Sequence, residues 1–383
     1  MTLPLLALIV AVGLLGPIFA WSEKAKIPVA VGEMLAGVII GATGFQVINA
    51  HNSVFTFLAD IGFAMTMLIA GSHVPVKDKN LINGIPKALL KLVVIVLVSI
   101  VLAFGVTNLF HLGHPAIYAV LFASSSTAII MPVIEGLGLS GQAVTELMPQ
   151  IAIADAGCIV AVPLVIDSKN GLHALFGVFI MIIVTAALFV FIWQSEKRGW
   201  QEKLHARSKE RSFALELRIS LLLLLLLASL AQMTKVSIML AGFGLGIALA
   251  ASGEPRRLAR QLFALSDGFF SPIFFVWLGA SINLRDLLSH PEMILLAVVV
   301  ALAAILAHLS AVFFKQPWSL AVMAASQNGV PAAIVALGMT LNILKAGEGA
   351  ALLLASLLTV AATTIAGRIQ LGKQPQETEK VSS

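Results

Sequence analysis

Nineteen consecutive residues, Leu92 to Phe110, carry no charge. About 20 residues of helix cross the ~30 Å hydrocarbon core of a bilayer. A helix satisfies its own backbone N–H and C=O groups, which lipid cannot do, so an apolar run of this length reads as a membrane-spanning helix. Such runs recur along almost the whole chain. We place thirteen of them, at residues 2–20, 28–44, 53–74, 86–110, 114–133, 143–167, 171–193, 213–232, 235–251, 259–280, 291–314, 317–341 and 345–368. The run 259–280 fits least well, because Asp267 and Pro272 lie inside it. Composition agrees: 59% of the 383 residues are hydrophobic and 11% charged, against about 25% charged in soluble domains. The expected class is an all-α polytopic membrane protein, embedded in lipid.

Charge sets the expected orientation. With the N-terminus outside, 20 of the 24 Lys and Arg residues fall on inner segments. Only Lys169, Lys235, Arg285 and Lys345 fall outside. This positive-inside bias predicts an outer N-terminus, a cytoplasmic C-terminus and an odd number of spans, as expected for a bacterial inner (plasma) membrane protein. The basic loop 195–211 then serves as an orientation signal, and no nucleic-acid partner is expected. Cys158 is the one cysteine, so no intrachain disulfide forms. No basic segment precedes the first span, so no cleaved signal peptide is expected. Residues 371–383 read as a short polar cytoplasmic tail, with no attached nucleotide-binding domain and no cofactor motif.

Three short matches recur in order. "MLAGVIIG" at 34–41 returns as "MLAGFGLG" at 239–246, "LAD" at 58–60 as "LSD" at 265–267, and "AVLFAS" at 119–124 as "AVMAAS" at 321–326. Each pairs spans seven apart. Because seven is odd, the two halves face opposite ways, an inverted-topology repeat of the kind transporters use. Gly37 and Gly41, with Gly242 and Gly246, form small-xxx-small pairs suited to close helix packing.

Spans 5 and 12 are repeat mates, and each carries a polar cluster at mid-depth followed by proline. Ser124, Ser125, Ser126 and Thr127 precede Pro132; Ser326, Gln327, Asn328 and Gly329 precede Pro331. Such clusters either bond back within an intact helix or mark discontinuous helices. Matched breaks in two halves point to a substrate site, and the prolines remove donors and strain the preceding turn.

Asp155 stands alone in the apolar segment "QIAIADAGCIVAVPLVI". An ionised Asp at the bilayer centre costs roughly 2.5–3.5 kcal/mol. A residue kept there at that cost is a candidate for function. One carboxyl group holds either a proton or a hard monovalent cation, which is a chemical basis for exchange; a structural Asp bonded to a neighbouring helix is the alternative. His308 is the one histidine well inside a span. It reads as a second proton carrier, a cationic partner for Asp155 or a satisfied core residue. Asp60 and Asp267 suit helix caps or contacts as well as ion passage. Glu33 and Glu135 read as vestibule or loop residues, and Cys158 as a small packing residue. No catalytic residue is expected, and no metal beyond a transported cation.

The motifs "GEMLAGVIIG", "FLADIGFAMTMLIAG", "SSSTAIIMPVIEGLGL", "ADAGCIVAVPL", "FFSPIFFVWLGASINL" and "SQNGVPAAIVALG" occur in this order. Together with the span count they give a chain that resembles the monovalent cation:proton antiporter superfamily, in the branch of sodium/proton exchangers and potassium-efflux antiporters, over about residues 2–368. The resemblance implies a core domain, about 53–167 and 259–368, in which discontinuous spans 5 and 12 cross. It implies a dimerisation domain, about 2–44 and 213–251, with 171–193 as a linking span, and a homodimer. The essential acid would fall on Asp155, with Thr127, Ser126 and Ser125 as ligands, and the core would move like an elevator. Two features depart from the pattern: Ala154 stands where a second acid or an amide usually precedes the Asp, and His308 is the nearest match to a lysine common on span 11. A single acid favours one proton per cation. Alternatives in other classes are a sodium-coupled organic-anion transporter, a potassium channel or efflux pathway, and an intramembrane hydrolase.

Overall fold

The computed structural model describes residues 2–21, 29–50, 52–72, 79–166, 171–198, 213–234, 236, 238–252, 256–281 and 284–373. Most of the basic loop between spans 7 and 8 and most of the polar tail, from residue 374, lie outside the described residues, as do Lys169 and Lys235. All regular structure among the described residues is helical.

In chain order the helices are α1 (Leu3–Gly13), α2 (Leu15–Ala20), α3 (Val29–Ile40), α4 (Ser53–Ser72), α5 (Lys79–Leu109), α6 (Pro115–Ala123), α7 (Thr127–Leu137), α8 (Gln142–Ile166), α9 (Gly171–Lys197) and α10 (Leu215–Met233). They continue as α11 (Ile238–Ser252), α12 (Arg256–Leu265), α13 (Ser271–Ser281), α14 (Leu284–Ser289), α15 (Pro291–Leu309), α16 (Trp318–Ala324), α17 (Gly329–Thr340) and α18 (Glu348–Lys373). Nine segments among the described residues are long and apolar enough to cross a membrane. Shorter apolar helices at Leu3–Phe19, Val29–Ile40 and Ile238–Ala251, and the pair α6 and α7, occupy the other intervals read as spans.

The long helices present apolar residues to lipid as well as to the core. On α5 one face buries Leu92, Ile95, Ala103 and Val106, while the opposite face exposes Val93, Leu97, Val101 and Phe104. In water the second face would be polar. Residues Leu258–Ser281 form one continuous apolar segment despite Asp267 and Pro272. A π-helical turn, Ser266–Phe270, joins α12 to α13 and absorbs the polar residues. The π turn adds one residue to the helical repeat, and Ser266 Oγ and Ser271 Oγ hydrogen-bond across it at 2.9 Å.

Helix packing follows the sequence repeat. Helix α3 packs on α13, and its sequence mate α11 packs on α4, the mate of α12–α13. Glycine makes both contacts possible. A Cβ on Gly37 would strike the carbonyl oxygen of Val276, and one on Gly242 the carbonyl oxygen of Ala64. Where α4 and α13 meet, the Phe63 and Phe274 rings stack 4.7 Å apart, and the Thr66 and Ser271 hydroxyls hydrogen-bond at 2.7 Å.

Both polar clusters interrupt their helices. Between α6 and α7, residues 124–126 are not helical, and Ser124 is extended, at φ −76° and ψ 148°. Between α16 and α17 the helix lapses over residues 325–328. The prolines do not make the breaks. Pro132 lies within α7, and Pro331 lies in the first turn of α17, where a backbone N–H has no helical partner in any case.

Candidate functional site

The site is built where the two breaks meet, with α8 packed against α6, α16 and α17. Each break reaches into the backbone of the other. Ser125 Oγ donates to the Ala324 carbonyl at 2.6 Å. Gln327 Nε2 donates in the opposite sense to the Leu121 carbonyl, at 2.5 Å. These bonds give carbonyls at the ends of α6 and α16 a partner from the opposite break, at a depth where lipid offers none.

Asp155 sits mid-way along α8 and is 7% exposed. Its Oδ2 accepts the backbone N–H of Thr127 at 2.9 Å. Thr127 is the first residue of α7, so this N–H belongs to the set that a helix start cannot bond internally. An acid on one helix thus caps a half-helix on another. The positive end of the α7 dipole, equivalent to roughly half an elementary charge, faces the carboxylate. A hydrogen bond to an ionised group contributes about 1.5–3 kcal/mol. Asp155 is therefore neither free in lipid nor fully neutralised.

Thr127, Ser126, Ser125 and Ser124 are all buried at this junction. The Ser126 carbonyl accepts from Ile129 and Ile130, opening α7. Ser124 Oγ donates to Leu121 at 2.7 Å, and the Ser124 carbonyl accepts from His308 Nε2 at 3.2 Å. A carbonyl can only accept, so Nε2 carries the hydrogen. His308 is fully buried on α15. It braces the backbone of the first break, and no hydrogen bond or ion pair joins it to Asp155 among the described residues. Cys158 Sγ donates weakly to the Val120 carbonyl at 3.5 Å, holding α8 on α6 as a packing residue does.

At the second break, Ser326 and Gln327 are buried and Asn328 is half-buried. Pro331 has no N–H to offer the carbonyl four residues back, that of Gln327. Ser356 Oγ on α18 donates to that carbonyl instead, at 2.9 Å. The Gln327 N–H reaches Thr359 Oγ1 at 3.3 Å, and Thr363 Oγ1 donates to the Met323 carbonyl at 3.3 Å. Sequence reasoning missed these α18 residues. Their signal was present: Ser356, Thr359 and Thr363 lie three and four apart, a single stripe on one helix face.

Four buried polar atoms at this junction make no hydrogen bond of regular geometry among the described residues: Thr127 Oγ1, which interacts with the Asp155 carboxylate, Ser326 Oγ, Gln327 Oε1 and His308 Nδ1. Leaving such an atom unsatisfied costs about 1–3 kcal/mol, and native interiors leave few. Three of the four are oxygens, the donor type that hard cations take.

Other candidates fall elsewhere. Asp60 is half-buried on α4, and no contact described here joins it to the breaks. Glu33 is not a vestibule residue: it is 3% exposed, inside α3, because the glycine at position 16 lets α2 approach it closely. The side chain of Glu135 lies outside the described residues. Glu348, which the sequence did not single out, is buried. It accepts from the Tyr118 hydroxyl at 2.7 Å, tying α18 to α6.

The profile of the family described as sodium/hydrogen exchanger, transmembrane, matches residues 8–370. A probable Na⁺/H⁺ antiporter of Methanocaldococcus jannaschii is 28% identical over 291 residues, covering 73% of this chain and 73% of that protein. A Na⁺/H⁺ antiporter of Enterococcus hirae is 24% identical over 299 residues and covers 75% of each. Among solved structures, the sodium proton antiporter MjNhaP1 of M. jannaschii superposes with a TM-score of 0.67 at 19% identity, over 95% of this chain and 97% of that one. At that identity the match speaks for the fold.

Proposed function

The chain belongs to the sodium/hydrogen exchanger family, and from that premise we propose that it is a secondary active antiporter exchanging a monovalent cation, Na⁺ or K⁺, for H⁺ at Asp155. The observation that carries this reading is one carboxylate seated on the start of a half-helix, at the junction of two facing breaks whose buried oxygens Thr127 Oγ1, Ser326 Oγ and Gln327 Oε1 make no regular hydrogen bond. A protonated Asp155 needs no further charge partner. An ionised Asp155 has the α7 dipole on one side and calls for a cation on the other. Thr127 Oγ1, Ser326 Oγ and Gln327 Oε1 are the neutral oxygens available to that cation, and Ser125, Ser126, Ser124 and Asn328 shape the break around it. His308 positions the Ser124 carbonyl, and Asp60 is given no role in this reading.

Proton and cation compete for the same oxygens, so the carrier crosses with one or the other. In proton-driven extrusion Asp155 takes a proton at the outer face, releases it inward, and carries a cation out. Ala154 offers no second ionisable group beside Asp155, which favours one proton per cation and an electroneutral cycle. The remaining parts of the proposal follow the family pattern: thirteen spans in two inverted halves, a core that moves against a dimerisation domain, a homodimer, and a plasma-membrane location with the N-terminus outside and the C-terminus in the cytoplasm.

The test is a panel of Na⁺, K⁺ and Li⁺ added to proteoliposomes holding a pH gradient, with and without a membrane potential. One or more cations should collapse the gradient, at a rate the potential does not change. Because a proton must leave before a cation binds, the apparent KM for the cation should rise as pH falls, approaching about tenfold per pH unit. A gradient that no cation collapses sinks the proposal, and a KM independent of pH sinks the single-carboxyl mechanism.

A further inference from the structure

A second charged site lies away from Asp155, at the ends of α5, α8 and the 3₁₀ turn Ser310–Phe314 that follows α15. A cavity of about 610 Å³ opens there, lined by Lys87, Leu90, Lys91, Glu146, Phe313 and Lys315 among others. That volume lies within the range of about 300–1,000 Å³ typical of small-molecule sites. Three lysines and one carboxylate line it. Glu146 Oε1 accepts from Lys87 Nζ at 3.2 Å and from Gln142 Nε2 at 3.0 Å, while Lys91 Nζ stands 4.0 Å from Oε2. Lys315 has no ion-pair partner among the described residues. The cavity therefore carries an excess of two positive charges.

Lys91 is 4% exposed, so burying its charge at this edge has a cost that one carboxylate at 4.0 Å only partly offsets. Lys315 holds φ +62°, a left-handed conformation that costs a residue with a Cβ about 1–2 kcal/mol. Apolar surface frames the charges: Leu90 is 55% and Phe313 89% exposed. Close by in sequence, Trp318 is partly exposed beneath the ammonium of Lys373, 4.8 Å from its ring. Trp and Lys together mark the depth of lipid headgroups.

Given the membrane placement proposed above, we infer that this cavity binds the phosphate of an anionic phospholipid, with the acyl chains lying along Leu90 and Phe313. Basic pockets between helices at the cytoplasmic face recognise such headgroups, and under the positive-inside orientation all three lysines face that side. The site takes no part in ion exchange at Asp155, so its occupancy is measured separately.

The test uses the full chain in detergent and native mass spectrometry with phosphatidylglycerol and phosphatidylcholine of equal acyl length. The protein should retain phosphatidylglycerol in preference. Replacing both Lys91→Gln and Lys315→Gln should weaken that binding about twenty-fivefold, from about fivefold per lysine, and leave phosphatidylcholine unchanged. The Lys91→Arg, Lys315→Arg pair keeps the charge and should keep the preference, which separates lost charge from lost folding. Glu146→Gln should strengthen binding. Asp155→Asn should leave lipid retention as it is, so a failure of the exchange reading does not mimic a failure here. Equal retention of the two lipids, or full retention by the double Gln variant, overturns the proposal. Displacement by millimolar glycerol 3-phosphate would assign the cavity to a soluble phosphate and overturn the lipid occupant.

Discussion

The two interrupted spans share a short matching sequence and break at matching places, yet they end their helices by different chemistry. At the first break the new helix start gives its N–H to an acid, Asp155. At the second, the loose ends go to the hydroxyls of Ser356 and Thr359 on α18, groups that keep their proton at any physiological pH. One break is thus completed by a group whose charge can change and the other by groups whose charge cannot. A repeat supplies two similar scaffolds, and a single acid makes one of them responsive. In the proposed mechanism the second break offers the cation neutral oxygens of fixed charge, and the first offers the charge that changes.

The largest effect should come from Asp155→Asn. The amide oxygen still accepts the Thr127 N–H, so the fold survives, but the charge change is gone. Exchange in proteoliposomes should fall to background, a loss on the order of a hundredfold or more; retention of full exchange would end the distinction between the breaks. Next is Thr127→Val, which keeps the backbone N–H to Asp155 and removes Oγ1. The apparent KM for the cation should rise about tenfold, the worth of roughly 1.4 kcal/mol from one polar contact, with little change in melting temperature. Thr359→Val addresses the other side. It leaves the Gln327 N–H unsatisfied and should cost about 1–3 kcal/mol, read as a melting temperature lower by roughly 5 °C, while exchange per folded molecule holds. The smallest effect should be that of Ser326→Ala. Ser326 is offered to the cation from the break that does not bond Asp155, so its KM should move by less than about threefold; a change equal to that of Thr127→Val would make the two breaks equal contributors of ligands.

Much of this was legible beforehand because membranes simplify the code. Lipid forces backbone groups to pair within a helix, so apolar length alone marks helices. A charge or a polar cluster inside such a run stands out against an apolar background, which is how Asp155, Thr127 and the run Ser326–Asn328 were found. The glycines at 37 and 242 were read as close packing, and each faces a backbone carbonyl of another helix. Errors arose where depth along the chain was taken for depth in the protein. Glu33 looked like a vestibule residue because it is near a span end, but burial depends on what packs over it. The interruptions lie at the polar clusters upstream of Pro132 and Pro331, where the sequence places them, and polar groups from other helices supply the missing bonds.

Sequence by itself determined that this chain is helical and membrane-embedded, that it carries a sequence repeat, and that one acid stands isolated at its centre. Those properties follow from hydropathy, which is local and additive. Only the tertiary structure decided that Asp155 meets the start of α7, that α18 stitches the second break, and that two lysines of α5 and the distant Lys315 share one cavity with Glu146. Hydrogen bonds and ion pairs act over about 3–4 Å, and their partners lie tens to hundreds of residues apart in the chain. No periodic pattern along the sequence encodes that proximity.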